Sequence, residues 1–284
     1  MNNFAVFILS NGRPDRVYTY ETLRRHGYTG RIVLVVDDLD KTKDEYIEKY
    51  GSDVVVFDKR AAAKTFDQAD NFDDMRAIVY ARNACFDIAE NLGVEYFMQL
   101  DDDYITFEWR FDNYNKYVPY RLIKRLDRVL SIMLEFFKST DCATIAMAQG
   151  GDFIGGSDGT CARAPTLMRK AMNSFMCSTK RRFQFLGRIN EDVNTYTRQA
   201  STGLLMLSTN YVMLQQKSTQ TNAGGMTGLY LDSGTYVKSF YSVIFHPSSI
   251  GLRCLATSNS RIHHRVRWRY TVPKILRETH KGEQ

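Results

Sequence analysis

The stretch Tyr96-Phe-Met-Gln-Leu-Asp-Asp-Asp103 runs from an apolar segment into three consecutive acids without a spacer. Continuous apolar runs of this length are typical of strands that are buried on both faces of a parallel sheet. In open sheets of that kind, ligands bind at the carboxyl ends of the strands. The stretch therefore predicts a buried strand over residues 96–100 whose end carries a polar functional cluster.

The same pattern occurs upstream, where three further apolar runs are separated by segments with helical spacing. Two of these runs end in polar clusters, Ser10-Asn11-Gly12-Arg13-Pro14 and Asp37-Asp38. The predicted strands are 4–9, 31–36 and 53–57, and the predicted helices are 15–25, 44–50 and 74–92. Strand–helix alternation predicts an α/β fold with a mostly parallel N-terminal sheet.

The pattern changes in the second half of the chain, where short apolar runs follow glycine-rich loops. We expect an amphipathic helix over 120–138, strands over 143–148, 174–177, 203–207 and 241–245, and loops over 149–159 and 222–228. The sequence contains no internal repeat and no Pro-rich linker. We therefore predict one domain, 1–284, with a mixed α/β C-terminal half.

Charge is unevenly distributed along the chain. Residues 1–158 carry 20 Lys+Arg against 27 Asp+Glu, a net of −7, whereas residues 159–284 carry 18 against 5, a net of +13. Two segments contain no acid: Gly159 to Asn190 has seven basic residues and Ser233 to Arg277 has eight. This distribution predicts a basic face directed at a polyanion, although a solvated basic tail is an alternative.

The acidic triplet Asp101-Asp102-Asp103 is a candidate metal site. Carboxylates on alternate residues at a strand exit can converge on one hard cation, which keeps positions for water and substrate phosphates. Three adjacent carboxylates also repel one another unless a cation compensates them. The alternative is an acidic turn exposed to solvent.

Glu191-Asp192 opens a segment with helical spacing and supplies a second pair of carboxylates. One of them could act as the base that deprotonates an acceptor hydroxyl, while the other holds the acceptor or orients the base. Acids also favour the first turn of a helix for electrostatic reasons alone. His246 follows the last apolar run and is either structural or a third metal ligand. His263-His264 lie in a basic segment, which predicts surface or phosphate contacts for them.

Taken in order, these elements resemble a glycosyltransferase of the GT-A class. The resemblance rests on Ser10-Asn11-Gly12-Arg13-Pro14, Ala81-Arg82-Asn83, Leu100-Asp-Asp-Asp103, Glu191-Asp192 and His246, and it covers roughly residues 4–250. Gly187-Arg-Ile-Asn-Glu-Asp-Val193 and the basic C-terminal half also resemble phage-type glycosyltransferases that modify 5-hydroxymethylpyrimidines in DNA.

The resemblance implies a nucleotide-sugar donor, commonly a UDP-sugar, and Mn²⁺ or Mg²⁺ as cofactor. Residues 1–158 would bind the donor and the metal, and residues 159–284 the acceptor. Asp101, Asp103 and His246 would hold the metal, and Glu191 and Asp192 would be catalytic, which favours inversion at the anomeric carbon. The implied donor-binding residues are Ser10, Asn11, Arg13, Asp37, Asp38, Arg82 and Asp102.

The acceptor predicted from these features is DNA, specifically the hydroxymethyl group of 5-hydroxymethylcytosine. The acid-free segments provide the positive charge that phosphate binding requires. Arg265, Arg267 and Arg269 would contact phosphates, and Trp268 would stack on a base. Three alternatives stay open: a protein, glycan or other polyanionic acceptor, a nucleotidyltransferase, and a non-catalytic DNA-binding module. The oligomeric state does not follow from the sequence.

The remaining features predict a cytoplasmic protein, in the host cytoplasm if the chain is phage-encoded. No apolar stretch approaches the ~18 residues of a membrane span, and no signal-peptide pattern precedes the first strand. The five cysteines are scattered and contain no CxxC pair, which predicts reduced thiols instead of disulfides or a zinc site.

Overall fold

A computed structural model describes residues 3–70, 73–163, 169–217, 227–255 and 261–271. The strands are β1 (Phe4–Leu9), β2 (Arg31–Asp37), β3 (Val54–Phe57), β4 (Tyr96–Asp101), β5 (Tyr104–Trp109), β6 (Thr144–Gln149), β7 (Ser174–Ser178), β8 (Met206–Gln216), β9 (Ile250–Leu255) and β10 (Arg261–Val266). The α-helices are α1 (Tyr18–Arg25), α2 (Lys43–Tyr50), α3 (Lys59–Ala63), α4 (Val79–Asn91), α5 (Leu126–Ser139), α6 (Thr160–Arg163), α7 (Glu191–Ser201) and α8 (Thr227–Phe245).

Eight of the strands form one sheet with the order β3-β2-β1-β4-β7-β6-β8-β5. The first four are mutually parallel, and β7 then pairs antiparallel with β4. Leu9 pairs with both Val35 and Asp101, so the segments that follow β1, β2 and β4 meet at one edge of the sheet. The structure confirms the predicted α/β fold with a parallel N-terminal half and a mixed C-terminal half.

Helices cover both faces of this sheet. On one face, Val6 and Ile8 of β1 pack in a core to which α1, α2 and α5 contribute. On the other face, Phe7 and Leu9 pack in a core with α4 and α7. Because alternate side chains of β1 enter different cores, every residue of the strand is buried, which explains its continuous apolar run.

In several places the structure differs from the sequence prediction. The triplet of acids is followed at once by β5, which the prediction missed, and the long helix begins at Leu126 instead of residue 120. Of the strand expected over 203–207, only the last two residues belong to a strand, the longer β8, which begins at Met206. Most of the glycine-rich loop expected over 222–228 lies outside the described residues.

The strand predicted over 241–245 is wrong, because these residues form the last turns of α8. Tyr241 and Phe245 lie one helical turn apart with ring centroids separated by 6.4 Å. Tyr241 is buried, whereas Ile244 is 69% exposed. The run of aromatic and β-branched residues satisfied the strand pattern, but burial follows the helical spacing i, i+4.

Two further features concern the chain as a whole. Within the described ranges, no helix is long and apolar enough to cross a membrane, and the cytoplasmic location stays a prediction. All five cysteines fall in those ranges and are free thiols, as the sequence predicted.

Candidate active site

A cavity of about 540 Å³ opens at the edge where the parallel strands end. Its floor is acidic and is formed by Asp101, Asp102 and Asp103 of the β4–β5 junction. The remaining acidic, basic and histidine residues of its lining come from other parts of the chain. They are Arg13, Asp37, Lys59, Arg76, Arg82, Lys170, Glu191, Asp192, Lys238, His263 and His264.

Asp102 anchors the segment that follows β1. Its carboxylate is fully buried and accepts two hydrogen bonds from the Arg13 guanidinium, at 2.7 and 2.6 Å. Ser10 Oγ donates a third hydrogen bond at 2.5 Å. Burial raises the pKa of Asp102, and Arg13 and Ser10 oppose that shift. Asp102 therefore fixes Arg13 at the cavity; its predicted contact with the donor stays a prediction.

Arg82 joins the acidic floor to the second pair of carboxylates. It projects from α4, is 1% exposed, and donates to Asp101 Oδ1 at 2.8 Å and to Glu191 Oε1 at 3.0 Å. Burial disfavours its charge, but Asp101 and Glu191 outweigh burial and raise the pKa of Arg82. Asp101 and Glu191 are far apart in the sequence, so this bridge is what places both acids in one cavity.

Asp103 has the carboxylate that is least satisfied. Gln216 donates to Oδ2 at 3.0 Å, whereas Oδ1 is buried without a hydrogen-bond partner. Burial and the neighbouring Asp101 raise the pKa of Asp103 to about 7. A buried oxygen without a donor costs free energy, and a cation beside it would remove that cost. The residues at this position thus fit a divalent metal.

The complete ligand set of a metal is not preformed. Among the residues that the structure describes, no three His, Cys, Asp or Glu side chains converge on one point. Mg²⁺ is commonly held by one or two carboxylates together with substrate phosphates and water, so two aspartates are a sufficient protein contribution.

Of the two aspartates that follow the apolar run of β2, only Asp37 reaches the cavity. Its Oδ2 accepts hydrogen bonds from Asn11 at 2.8 Å and from Lys59 at 3.1 Å. Asp38 lies outside the lining and accepts a hydrogen bond from the backbone N–H of Lys59 at 2.8 Å. Asp37, Asn11 and Lys59 thus lie together in the cavity lining, and we call this group the donor end.

Glu191 and Asp192 form the first turn of α7 and are both 7% exposed. Burial raises the pKa of both carboxyl groups; the adjacent Asp192 raises that of Glu191 further, and Arg82 opposes the shift in each. Asn190, which precedes the helix, has the left-handed φ of 55°. Its side chain donates to the carbonyl of Lys238 at 2.7 Å and so ties α7 to α8. The helical turn predicted from the sequence is present, and its acids face the cavity.

A further part of the cavity lining comes from the second half of the chain. We call Lys170, Lys238, His263 and His264 the C-terminal wall. Burial lowers the pKa of His264 to about 3, and the other causes of the shift are all cationic or imidazole groups. The sequence indicates only surface or phosphate contacts for the two histidines, because nothing in it brings β10 to the cavity.

His246, the predicted third metal ligand, lies elsewhere. It follows the end of α8 and is not part of the cavity lining, and its Nδ1 is buried without a partner. The role of His246 as a metal ligand stays a prediction that the lining of this cavity does not support.

The residues predicted to bind DNA separate into two groups. Arg265, Arg267 and Arg269 are on β10 and the turn after it, and their side chains are largely open to solvent. Trp268 instead stacks on Tyr196 of α7, with ring centroids 5.6 Å apart and an interplanar angle of 16°. Its ring thus already packs against a side chain of the protein, and its stacking on a base stays a prediction.

One protein-family model, that of the TET-Associated Glycosyltransferase, matches residues 4–225. The chain belongs to this family. The match covers more than three quarters of the chain and contains Asp101 to Asp103, Glu191 and Asp192, whereas β9 and β10 lie beyond it. Membership in the TET-associated glycosyltransferases confirms the resemblance to glycosyltransferases found in the sequence.

Similar solved structures include further glycosyltransferases, all at low identity. Glucosyl-3-phosphoglycerate synthase from Mycobacterium tuberculosis, solved with Mn²⁺, UDP and phosphoglyceric acid, is 8% identical, with 93% of this chain and 87% of that chain covered and a TM-score of 0.46. The mannosyltransferase PcManGT from Pyrobaculum calidifontis, solved with GDP-Man and Mn²⁺, is 12% identical, with coverages of 83% and 62% and a TM-score of 0.47.

A third similar structure is S. aureus TarS 1-349 in complex with UDP-GlcNAc. It is 12% identical, with 76% of this chain and 59% of that chain covered and a TM-score of 0.42. The TET-associated glycosyltransferase thus spans less than two thirds of the mannosyltransferase and of the TarS fragment. No curated protein matches its sequence.

Proposed function

We propose that this family member transfers a sugar from a UDP-sugar donor, with Mn²⁺ or Mg²⁺, to a hydroxyl acceptor in DNA. The specific acceptor that we propose is the hydroxymethyl group of 5-hydroxymethylcytosine. The single observation that carries this proposal is the buried bridge Asp101–Arg82–Glu191. It holds an acidic strand end, suited to a metal and diphosphate, beside a second pair of carboxylates suited to an acceptor hydroxyl.

The donor is assigned to the end of the cavity formed by the segments after β1 and β2. Asp37 accepts hydrogen bonds from Asn11 and Lys59 and is placed to meet the nucleoside. Arg13, fixed by Asp102, supplies positive charge near the diphosphate. A nucleotide sugar offers both features, a nucleoside with hydroxyl donors and a diphosphate that needs positive charge.

Asp101 and Asp103 are the residues that would hold the metal. Bound there, Mn²⁺ or Mg²⁺ would offset the negative charge of the departing diphosphate as a Lewis acid. The buried Oδ1 of Asp103, which lacks a donor, supports this assignment within the protein itself.

Asp192 is the base in our proposal, and Glu191 orients the site. Arg82 already binds Oε1 of Glu191, whereas Asp192 accepts a hydrogen bond at 2.7 Å from the neighbouring backbone N–H of Val193. The raised pKa of Asp192 makes its carboxylate a better proton acceptor. The acceptor oxygen attacks the anomeric carbon while its proton passes to Asp192, and the bond to the diphosphate breaks to release UDP. A single displacement of this kind inverts the anomeric centre.

DNA is proposed as acceptor because of the exposed arginines and the sequence resemblance to glycosyltransferases of DNA 5-hydroxymethylpyrimidines. Arg265, Arg267 and Arg269 can contact phosphates without reading the sequence of the bases. The association with TET in the family's name is consistent with this acceptor. The base would have to leave the duplex to reach Asp192, which costs a few kcal/mol.

The test is incubation of the protein with Mn²⁺, a panel of UDP-sugars and DNA that contains 5-hydroxymethylcytosine. Mass spectrometry of the digested nucleosides should detect one glycosylated nucleoside, and DNA with unmodified cytosine is the matched control. Transfer to a protein or glycan but not to this DNA would contradict the acceptor and preserve the donor chemistry. UDP-sugar turnover that proceeds equally in EDTA would contradict the role of the metal.

A further inference from the structure

The residues of the C-terminal wall line the same cavity as Asp192 and differ from those of the donor end. Lys238 belongs to α8, which Asn190 ties to the first turn of α7 through its bond to the Lys238 carbonyl. Lys238 is close enough to Asp192 for its charge to lower the pKa of that carboxyl group. The main groups that shift the pKa of Asp103 are Asp101, Gln216, Asp102 and Arg13, and none belongs to the wall. The wall residues and the proposed base Asp192 thus line the same cavity, and the Lys238 backbone is tied to the turn that carries this base.

The wall brings several basic side chains together at the cavity. The groups whose charge lowers the pKa of His264 are His263, Lys238, Arg253 and Lys170. Lys170 shares a single carboxylate, Asp152, with the buried Arg169, so the three groups together keep a net positive charge. The main causes of the shift of His264 include no carboxylate.

The chemistry of these side chains suits a phosphate. Lysine ammonium groups bind phosphate as compact charges with three donors each, and a neutral imidazole such as His264 can donate one further hydrogen bond. Hydrogen bonds to a phosphate are charge-assisted and roughly twice as strong as neutral ones. A hydroxyl acceptor that carries a phosphate could thus be held by the wall while its hydroxyl faces Asp192.

We propose that the C-terminal wall is a phosphate-binding subsite for the acceptor, which holds the phosphate next to the nucleotide that is modified. This inference rests on the proposed function and deepens it, because it assigns recognition of the acceptor nucleotide to the cavity itself, apart from the exposed arginines. The acceptor recognised in the cavity is accordingly a nucleotide and not a nucleoside.

The experiment compares three small acceptors in the transfer assay with UDP-sugar and Mn²⁺: 5-hydroxymethyldeoxycytidine and its 5′- and 3′-monophosphates. One of the two monophosphates should be preferred to the nucleoside by about tenfold or more in kcat/KM, as expected for a charge-assisted contact. Lys238→Met should abolish that preference. Because the same variant acts on all three acceptors, any effect of Lys238 on the chemical step cancels from the ratio.

Lys170→Met is the second variant, and Lys180→Met is the matched control. Lys180 is an exposed lysine that pairs with Glu95 on the surface, so the control removes one charge without touching the cavity. The control should keep the wild-type preference, and Lys170→Met should reduce it. Equal use of nucleoside and monophosphates by the wild type, or an unchanged preference in Lys238→Met, would overturn the subsite.

The other source of phosphate is the donor. If Lys238→Met raises the KM of the UDP-sugar and leaves the acceptor preference unchanged, the wall serves the diphosphate and the acceptor assignment is overturned. If no acceptor is glycosylated at all, the proposed function fails, and calorimetric titration with dCMP and deoxycytidine then tests the wall alone. Binding of dCMP that is lost in Lys238→Met supports the subsite, and absence of dCMP binding to the wild type overturns it.

Discussion

The basic side chains of the two acid-free segments have different surroundings in the structure. In Gly159 to Asn190, the basic side chains that the structure describes bind partners inside the protein, and their acidic partners come from residues 1–158. Lys180 pairs with Glu95, Arg169 and Lys170 with Asp152, Arg182 with Asp87 and Glu90, Arg188 with Asp70, and Arg181 donates to the carbonyls of Phe137, Thr140 and Cys142.

In Ser233 to Arg277, by contrast, the four arginines whose side chains the structure describes are exposed to solvent. Within the described residues, Arg253, Arg265, Arg267 and Arg269 make no ion pair, and Arg269 lies over the ring of Tyr270 at 4.8 Å. The described basic residues of the first segment therefore pair mainly with acids of the same chain, and Lys170 also lines the cavity, whereas the second segment presents exposed arginines on the surface. A local excess of charge in a sequence does not distinguish these two uses.

The largest expected effect concerns the internally paired segment. Arg188 is 2% exposed and binds Asp70 at 2.8 Å, so Arg188→Met leaves a buried carboxylate without its arginine. We expect the free energy of unfolding to fall by about 3–5 kcal/mol, as is usual when a buried pair is broken. Urea denaturation measures this effect. Arg265→Met is the matched control and should change stability by less than about 0.5 kcal/mol.

The second prediction concerns DNA binding. Neutralising Arg265, Arg267 and Arg269 together should weaken binding to all DNA sequences and lower the slope of log affinity against log salt by about 0.9 for each phosphate that the variant no longer binds. Titrations at several salt concentrations measure the slope. Lys180→Met with Arg182→Met removes two paired charges from the first segment and should leave the slope unchanged. Equal slopes for both sets of variants would contradict the difference between the segments.

The third prediction concerns Trp268, for which we expect a smaller effect. Because its ring stacks on Tyr196, Trp268→Ala should lower the free energy of unfolding by at least about 1 kcal/mol, since an aromatic pair typically contributes about this much. Thermal unfolding measures this loss. The salt dependence of DNA binding should stay as in the wild type. A loss of DNA affinity at unchanged stability would restore the base-stacking role that the sequence predicted.

The smallest expected effect concerns Asp103, the acid whose Oδ1 has no hydrogen-bond partner. The pKa of Asp103 in the folded state is raised to about 7, so its contribution to stability is present at low pH and is lost as the pH rises through about 7. A divalent cation compensates only the ionised form. Mn²⁺ should therefore raise Tm more at about pH 8 than at about pH 5. In Asp103→Asn the pH dependence of this Mn²⁺ effect should largely disappear.

The parallel half of the fold could be predicted because its strands are buried on both faces and end in polar residues. The predicted bounds of β1, β2 and β4 agree with the structure to within one residue. The acidic triplet lies at the end of β4 as predicted, and the predicted helix begins at Glu191. The spacing of apolar residues indicates these strands and helices from the local sequence alone, without reference to distant contacts. The gathering of Ser10, Asp37 and Asp101 at one edge follows from the parallel arrangement alone.

The C-terminal wall could not be predicted, since its residues reach the cavity only through tertiary packing. His263 and His264 lie on a two-stranded sheet that packs on α8, and the sequence pattern at the end of α8 is that of a strand. No local pattern therefore indicates that β10 reaches the cavity. Likewise, nothing in the local sequence of Trp268 indicates that Tyr196 is its partner.

The central claim is that Asp101, Asp103 and the Glu191-Asp192 pair form one active site, with Asp192 as the base. Its most direct test is the single-turnover rate of sugar transfer to 5-hydroxymethylcytosine DNA by Asp192→Asn, with donor affinity measured in parallel. We predict a rate lower by about 10²–10⁴-fold at unchanged donor affinity, because only the proton transfer is impaired. A rate close to that of the wild type would show that the acids of α7 serve the helix and not the reaction.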